Sequence, residues 1–121
     1  MSHLVVIEVS LKNQRSVVKA CERLEWKYEV NSSAVMYDGS SIKGVVITIP
    51  DWKYPAVVQD NGQIGVDTFN NRWGSISDLD RLKQYYAVEE TQATLRAQGL
   101  SAYEYLNEKD GSITLTAEVH H

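Results

Sequence analysis

A chain of 121 residues, 43% hydrophobic and 23% charged, can bury an apolar core, and we expect residues 1–121 to form a single domain. The net charge of −4, without a Lys/Arg cluster, argues against duplex nucleic acid as a partner, because proteins that grip its phosphates carry a basic stripe. Cys21 is the only cysteine, which excludes an intramolecular disulfide and favours a reducing, cytoplasmic setting.

The chain shows no sequence pattern of a targeting or membrane segment. Its first residues, Met1-Ser2-His3-Leu4-Val5-Val6, lack the basic region and the long apolar run of a signal peptide. The longest apolar stretches have four to five residues, whereas a transmembrane helix needs roughly 20. We therefore expect no membrane partner.

A strand followed by a helix is predicted for the first part of the chain. Residues 4–11 are rich in β-branched side chains and apolar on both faces, which we interpret as a strand inside a sheet rather than at its edge. Asn13 is a plausible N-cap, and Val17, Cys21 and Leu24 form an apolar stripe on a helix of about residues 13–25.

Strand signals dominate the next segment. Trp26, Tyr28 and Val30 alternate with charged residues, which predicts a half-buried strand, and residues 34–37 and 44–49 read as two more. Two short apolar runs at 57–58 and 64–66 flank Asp60-Asn61-Gly62, which predicts a hairpin with a type I′ turn.

A long helix and a hairpin complete the prediction. We predict that the helix starts at Ser77, with Asp80 as its capping-box partner, and that Gly99 is the C-cap. A final hairpin turns at Glu108-Lys109-Asp110-Gly111. The order β-α-β-β-β-β-β-α-β-β predicts an α+β fold, with a single antiparallel sheet and two helices packed on one face.

Several segments resemble a known family. The chain opens Met1-Ser2-His3 into a strand, its main helix contains Gln84-Tyr85-Tyr86-Ala87-Val88, and Gln98-Gly99-Leu100 precedes Asp110-Gly111-Ser112-Ile113-Thr114-Leu115. These features resemble the domain-of-unknown-function family 1257, which occurs in cyanobacteria, plastid genomes and phages. Glu89 stands where members often carry a histidine, so no role of that imidazole transfers. The resemblance implies the fold rather than an activity, and the host cytoplasm if a phage encodes the chain.

Catalytic, metal and cofactor sites are not predicted. Cys21 lies on an apolar stripe and is interpreted as a packed thiol, and His3 as a hydrogen-bonding group at the sheet edge. His120 and His121 are interpreted as a frayed tail. The chain contains no phosphate-cradling glycine motif.

Two aromatic loops, residues 51–55 and 67–74, are the predicted binding site. They place rings beside an Arg and short amides, a mixture suited to a nucleotide, a nucleotide-derived signal or a protein contact. The alternative interpretation is that their tryptophans only cap the core. The predicted ligand-binding residues, which include one tyrosine of the long helix, are Trp52, Tyr54, Asp67, Asn70, Arg72, Trp73 and Tyr85.

These features favour a non-catalytic binding protein that holds a small nucleotide-like molecule or a protein partner on the open face of the sheet. A half-covered sheet also favours a homo-oligomer. The phage members of the similar family add the interpretation of a sponge or inhibitor of host defence. Two alternatives stay open: a nucleotide-directed hydrolase that uses Asp67, Arg72 and His3, and a structural subunit or adaptor of a larger complex.

Overall fold

The computed structural model describes residues 4–7, 11–68, 72–106 and 113–119, with side chains for 11–68 and 72–100. The predicted turn at 108–111 and His3, His120 and His121 lie outside these residues. The elements in chain order are β1 (Leu4–Ile7), α1 (Gln14–Leu24), β2 (Lys27–Val35), β3 (Ser41–Thr48), β4 (Ala56–Val58), β5 (Ile64–Asp67), α2 (Ile76–Ala97), β6 (Leu100–Leu106) and β7 (Ile113–Val119).

The main sheet is antiparallel, with five strands in the order β1-β5-β4-β3-β2. β6 and β7 pair only with each other among the described strands, as a two-stranded sheet that packs against α2. The α+β class, with an antiparallel sheet and two helices, is therefore confirmed. The carboxy-terminal hairpin forms a sheet of its own instead of extending the main one.

Both helices cover one face of the main sheet. Alternate residues of β3, β4 and β5 point to this face, and they share one buried cluster with residues of both helices. The members of this cluster that define the contact are Val45, Ile47, Val58, Ile64 and Val66 from the sheet and Val17, Ala20, Cys21, Leu79 and Leu82 from the helices. The core is thus a helix layer on a sheet, as the apolar periodicity predicts.

Two strand predictions were wrong. Among the described strands β1 pairs with β5 alone and lies at the edge of the sheet. Apolar residues on both faces of a strand indicate that its faces are covered; they do not indicate that both its edges are paired. The predicted strands around Trp26–Val30 and at 34–37 are largely one continuous strand, β2. Its register with β3 shifts between Glu29 and Ser32, so a bulge interrupts the alternation in the sequence.

Helix α1 follows its prediction closely and α2 does not begin where expected. The Asn13 side chain accepts a hydrogen bond from the Arg15 backbone N–H, which confirms the N-cap. The α2 N-cap is Ser75 rather than Ser77, and its hydroxyl bonds the Ser77 hydroxyl at 2.7 Å instead of a backbone N–H. At the other end, Gln98 is the C-cap and Gly99 follows in the left-handed conformation.

The Asn61-Gly62 hairpin forms, but its turn is not type I′. Gly62 has a φ of +87° whereas Asn61 is not among the positive-φ residues. The Asn61 side chain instead accepts from the Gln63 N–H at 2.9 Å, and the Gly62 N–H donates to Gln59. A side-chain hydrogen bond that competes with the backbone turn explains the difference.

The second face of the sheet is only partly open. Val57 and Asp67 point away from the helices, yet both are fully buried. The pairing places Asp67 level with Thr48, at the end of the sheet opposite the β2–β3 turn. Because the Tyr37 backbone N–H nevertheless donates to the Asp67 carboxylate, at 2.7 Å, the β2–β3 hairpin end must fold back over this face. The face that was expected to be open is therefore covered at Val57 and Asp67, and it is exposed at Lys27, Glu29 and Thr48 of β2 and β3.

Candidate ligand-binding groove

A groove of about 650 Å³ lies between the β2–β3 pair and the loop of residues 52–55. Trp52, Tyr54 and two lysines contribute to its lining, whereas the side chains of Trp26 and Tyr28 pack with the core on the helix side of the sheet. The lining residues used below are Trp26, Lys27, Tyr28, Glu29, Thr48, Trp52, Lys53 and Tyr54. A concave site with rings and a few charged groups is the usual architecture of a small-molecule site.

Backbone hydrogen bonds fix the loop that forms one wall of this groove. Asp51 has a left-handed φ of 68°, which turns the chain immediately after β3 and Pro50. The Trp52 N–H donates to Ile49 O at 3.1 Å, and the Lys53 N–H donates to Trp73 O at 2.8 Å. The Trp73 N–H in turn bonds Thr68 O at 2.8 Å. The two predicted aromatic loops are therefore joined to each other through their backbones.

Trp52 both lines the groove and anchors the loop to α2. Its indole N–H donates to Oδ2 of Asp78, in the first turn of that helix, at 2.9 Å. The ring packs on the core cluster and covers Gly74, where any Cβ would clash with it. The binding and core interpretations of this residue therefore describe two faces of one side chain.

Three rings form a cluster beside the groove. The Tyr54 and Trp73 centroids are 5.4 Å apart, and Tyr37 lies 5.0 Å from Trp73 and 6.3 Å from Tyr54. The Lys53 ammonium group stands 4.6 Å from the Trp73 centroid and 5.9 Å from that of Tyr54. These contacts hold a cation on an aromatic surface at the mouth of the groove.

The charges in the groove are mainly positive on its lining strand and loop. The lining contains two ammonium groups, of Lys27 and Lys53, and one carboxylate, that of Glu29. The Tyr28 hydroxyl donates to Glu22 at 3.1 Å, and this hydrogen bond raises the pKa of Tyr28. Tyr28 therefore stays a neutral ring at physiological pH. The groove offers stacking surfaces together with two ammonium groups.

Asp67 occupies a different environment from the one expected. It is fully buried, and its Oδ2 accepts the Tyr37 N–H. Its other oxygen, Oδ1, has no hydrogen-bond partner within the described part of the chain. Asp67 does not line the groove; it holds the folded-back hairpin that brings Tyr37 to the aromatic cluster.

The structure thus brings together three of the predicted residues, Trp52, Tyr54 and Trp73. Arg72 is exposed on the adjacent turn, and Asn70 lies outside the described residues. Tyr85 lies elsewhere, against the core and 5.6 Å from the Arg23 guanidinium carbon.

The lining residues of β2 were missed because they were interpreted only as a strand pattern. The alternation placed Trp26 and Tyr28 on the core face of the strand and Lys27 and Glu29 on the opposite face. The strand pattern does not show that the loop of residues 52–55 lies opposite this strand.

Other candidate sites are simple to place. Cys21 is fully buried, and burial together with nearby Glu22 raises its pKa to about 12, so it is a packed thiol. Within the described ranges no group of three or more His, Cys, Asp or Glu side chains could hold a metal. No helix in those ranges is long and apolar enough to cross a membrane.

Comparisons with known proteins give no assignment. No protein-family model matches the chain, and no match was found among curated proteins or solved structures. The resemblance to the domain-of-unknown-function family 1257 therefore stays a prediction.

Proposed function

We propose that this protein is a non-catalytic binding protein whose groove holds a small nucleotide-like ligand. The observation that carries the proposal is the groove itself, whose lining combines the aromatic residues Trp52 and Tyr54 of the loop with Lys27 and Lys53. A nucleotide has the matching parts, a flat base that stacks on rings and a phosphate that attracts ammonium groups. We propose a cytoplasmic setting, that of the host cell if a phage encodes the chain, and no duplex nucleic acid as partner.

The rings and the lysines suggest how such a ligand would lie. Tyr54 and Trp52 belong to the loop wall, and Lys27 belongs to the opposing strand. A base stacked on the loop wall would direct its phosphate towards Lys27 and Lys53. Because the Lys53 ammonium group lies 4.6 Å from the Trp73 centroid, the aromatic cluster holds it beside the groove that Lys53 lines.

Isothermal titration calorimetry with AMP and adenosine tests this arrangement. We expect AMP to bind at least about tenfold more tightly than adenosine, because a charge-assisted hydrogen bond contributes roughly 1.5–3 kcal/mol. In the double variant Lys27→Gln/Lys53→Gln the two ligands should bind equally. The matched control is Lys12→Gln/Lys43→Gln, which removes two exposed lysines outside the groove. Absence of AMP binding, or equal losses in both double variants, would contradict the proposal.

The resemblance to the domain-of-unknown-function family 1257 suggests what ligand binding would be for. Its phage members make sequestration of a host nucleotide signal, by a sponge or inhibitor of defence, the first role to test. Sequestration requires binding without turnover. Chromatography of AMP after prolonged incubation with the protein should return it unchanged; its conversion to adenosine would favour the hydrolase alternative instead.

A protein contact is a second candidate, and we propose that it is self-association through the edge of β2. Val30, Val35 and Tyr37 are 45%, 66% and 49% exposed, and all lie in β2 or two residues beyond it. β2 also ends the sheet, so one side of its backbone is unpaired within the described strands. A homo-oligomer formed by pairing of two β2 strands would satisfy both features.

Light scattering during gel filtration tests the oligomer. The wild-type protein should elute as an oligomer and Val35→Lys as a monomer, because a lysine on the edge opposes strand pairing. Thr91→Lys on the exposed side of α2 is the control and should leave the mass unchanged. A monomeric wild type at every concentration would overturn this second proposal and leave the groove unaffected.

A further inference from the structure

A second cavity lies between the two helices, away from the groove. It measures about 300 Å³ and is bounded by Arg15, Ser16 and Lys19 of α1 and by Glu89, Ala93 and Arg96 of α2. No residue of this cavity lines the groove. What it binds is therefore independent of the proposed nucleotide site.

The positive charges of this cavity are not used inside the described part of the chain. Arg15, Lys19 and Arg96 make no salt bridge there. The nearby carboxylates have other partners: Glu89 pairs with Arg23 at 2.8 Å, and Glu90 accepts from Asn13 at 2.6 Å and from Ser16.

The local charge is opposite in sign to that of the whole protein. The cavity lining holds three cations and one carboxylate, that of Glu89, a charge of +2 on a chain whose net charge is −4. Three like charges around one cavity repel one another, and this repulsion favours the binding of an anion that neutralises them.

We propose that this inter-helix cavity binds a phosphate or diphosphate group. Two guanidinium groups supply planar forks that match phosphate oxygens, and Lys19 adds a point charge. Ala93 lines the cavity together with Arg15 and Arg96, and its small side chain takes up little of the space that an anion would fill. The site does not depend on the α1 terminus, because Asn13 already accepts the Arg15 backbone N–H.

Inorganic pyrophosphate is the probe, titrated into the full chain at low ionic strength by calorimetry. The triple variant Arg15→Gln/Lys19→Gln/Arg96→Gln should weaken binding by more than about 100-fold, since each charged hydrogen bond lost costs roughly tenfold or more. The control Lys12→Gln/Lys43→Gln/Arg81→Gln removes the same charge from exposed positions elsewhere and should weaken binding by less than about threefold.

Ala93→Glu supplies a second test that leaves the three cations in place. Its carboxylate would occupy the cavity, and we expect a loss of pyrophosphate binding similar to that of the triple variant while the helix remains folded. Circular dichroism verifies folding of each variant. No binding by the wild type, or equal weakening by the site and control triples, would overturn the site.

Discussion

The indole N–H of Trp52 donates to the Asp78 carboxylate at 2.9 Å, and this bond joins the wall of the groove to the first turn of α2. The Asp78 carboxylate also stabilises α2 itself, because a negative charge near a helix N-terminus is favourable. One residue of the main helix therefore holds the loop that carries Trp52, Lys53 and Tyr54. The shape of the groove depends on a contact outside it.

Removal of this carboxylate should loosen the groove. We expect Asp78→Ala to lower the free energy of unfolding by about 1–2 kcal/mol and to weaken AMP binding, because the indole N–H loses its partner. Asp80→Ala is the matched control; Asp80 is exposed and lies 3.8 Å from the Lys83 ammonium group, so we expect a change within about 0.5 kcal/mol. Urea unfolding measures both, and equal effects would mean that the Trp52–Asp78 bond does not hold the loop.

Gly74 tests how closely the two aromatic loops are packed. Gly74→Ala should destabilise the fold by about 1–3 kcal/mol, because the new Cβ would displace the Trp52 ring. At Gly39, where φ is +84° and the added Cβ has open space, the same substitution should cost only the backbone term of about 1–2 kcal/mol. Only Gly74→Ala should alter tryptophan fluorescence and AMP binding. An unchanged spectrum in that variant would show that Trp52 is not seated on Gly74.

Asp67 should stabilise the folded-back β2–β3 hairpin. Asp67→Ala should lower the free energy of unfolding by about 1–3 kcal/mol, because the Tyr37 N–H loses its acceptor. Asp67→Asn keeps an acceptor oxygen and should retain more of the stability. Hydrogen exchange of the Tyr37 amide, measured by NMR, should be accelerated in the alanine variant. An unchanged exchange rate there would exclude this anchoring role.

The pH dependence of stability should report the burial of Cys21. Its pKa is raised from 9.0 to about 12, mainly by desolvation, so the folded state holds the proton more tightly than the unfolded state does. Its contribution is complete below about pH 9 and is lost as the pH rises towards 12.

The Cys21 effect can be separated from that of other groups that titrate at high pH. Unfolding free energies of the wild type and Cys21→Ala should converge between pH 9 and about 12, because alanine has no proton to lose. Native protein at pH 8 should also react slowly with iodoacetamide. Rapid labelling without unfolding would contradict the packed thiol.

Local signals predicted the elements that depend on neighbouring residues. Asn13 caps α1 through its own side chain, and the Val17–Cys21 stripe faces the core, so propensity and periodicity were sufficient. Ser75 and Ser77 could not be told apart in the same way, because both are good N-cap residues and the Ser75 side chain makes no capping bond to the backbone.

Local sequence signals also predicted part of the candidate site. Rings beside charges marked Trp52, Tyr54 and Trp73, which do lie together. The partners Lys27 and Tyr37 come from sequence positions far from these loops, and only the folding back of the β2–β3 hairpin brings Tyr37 to them. Long-range pairing of this kind leaves no periodic trace in one sequence.

Native mass spectrometry of the protein purified gently from its own host tests the central claim most directly. We predict that the wild type carries a bound mass in the range of a nucleotide, and that Tyr54→Leu, which removes one ring of the groove, loses that mass while staying folded. A protein that is free of ligand, or a Tyr54→Leu variant that keeps the same mass, would contradict the account of the groove as a nucleotide-binding site.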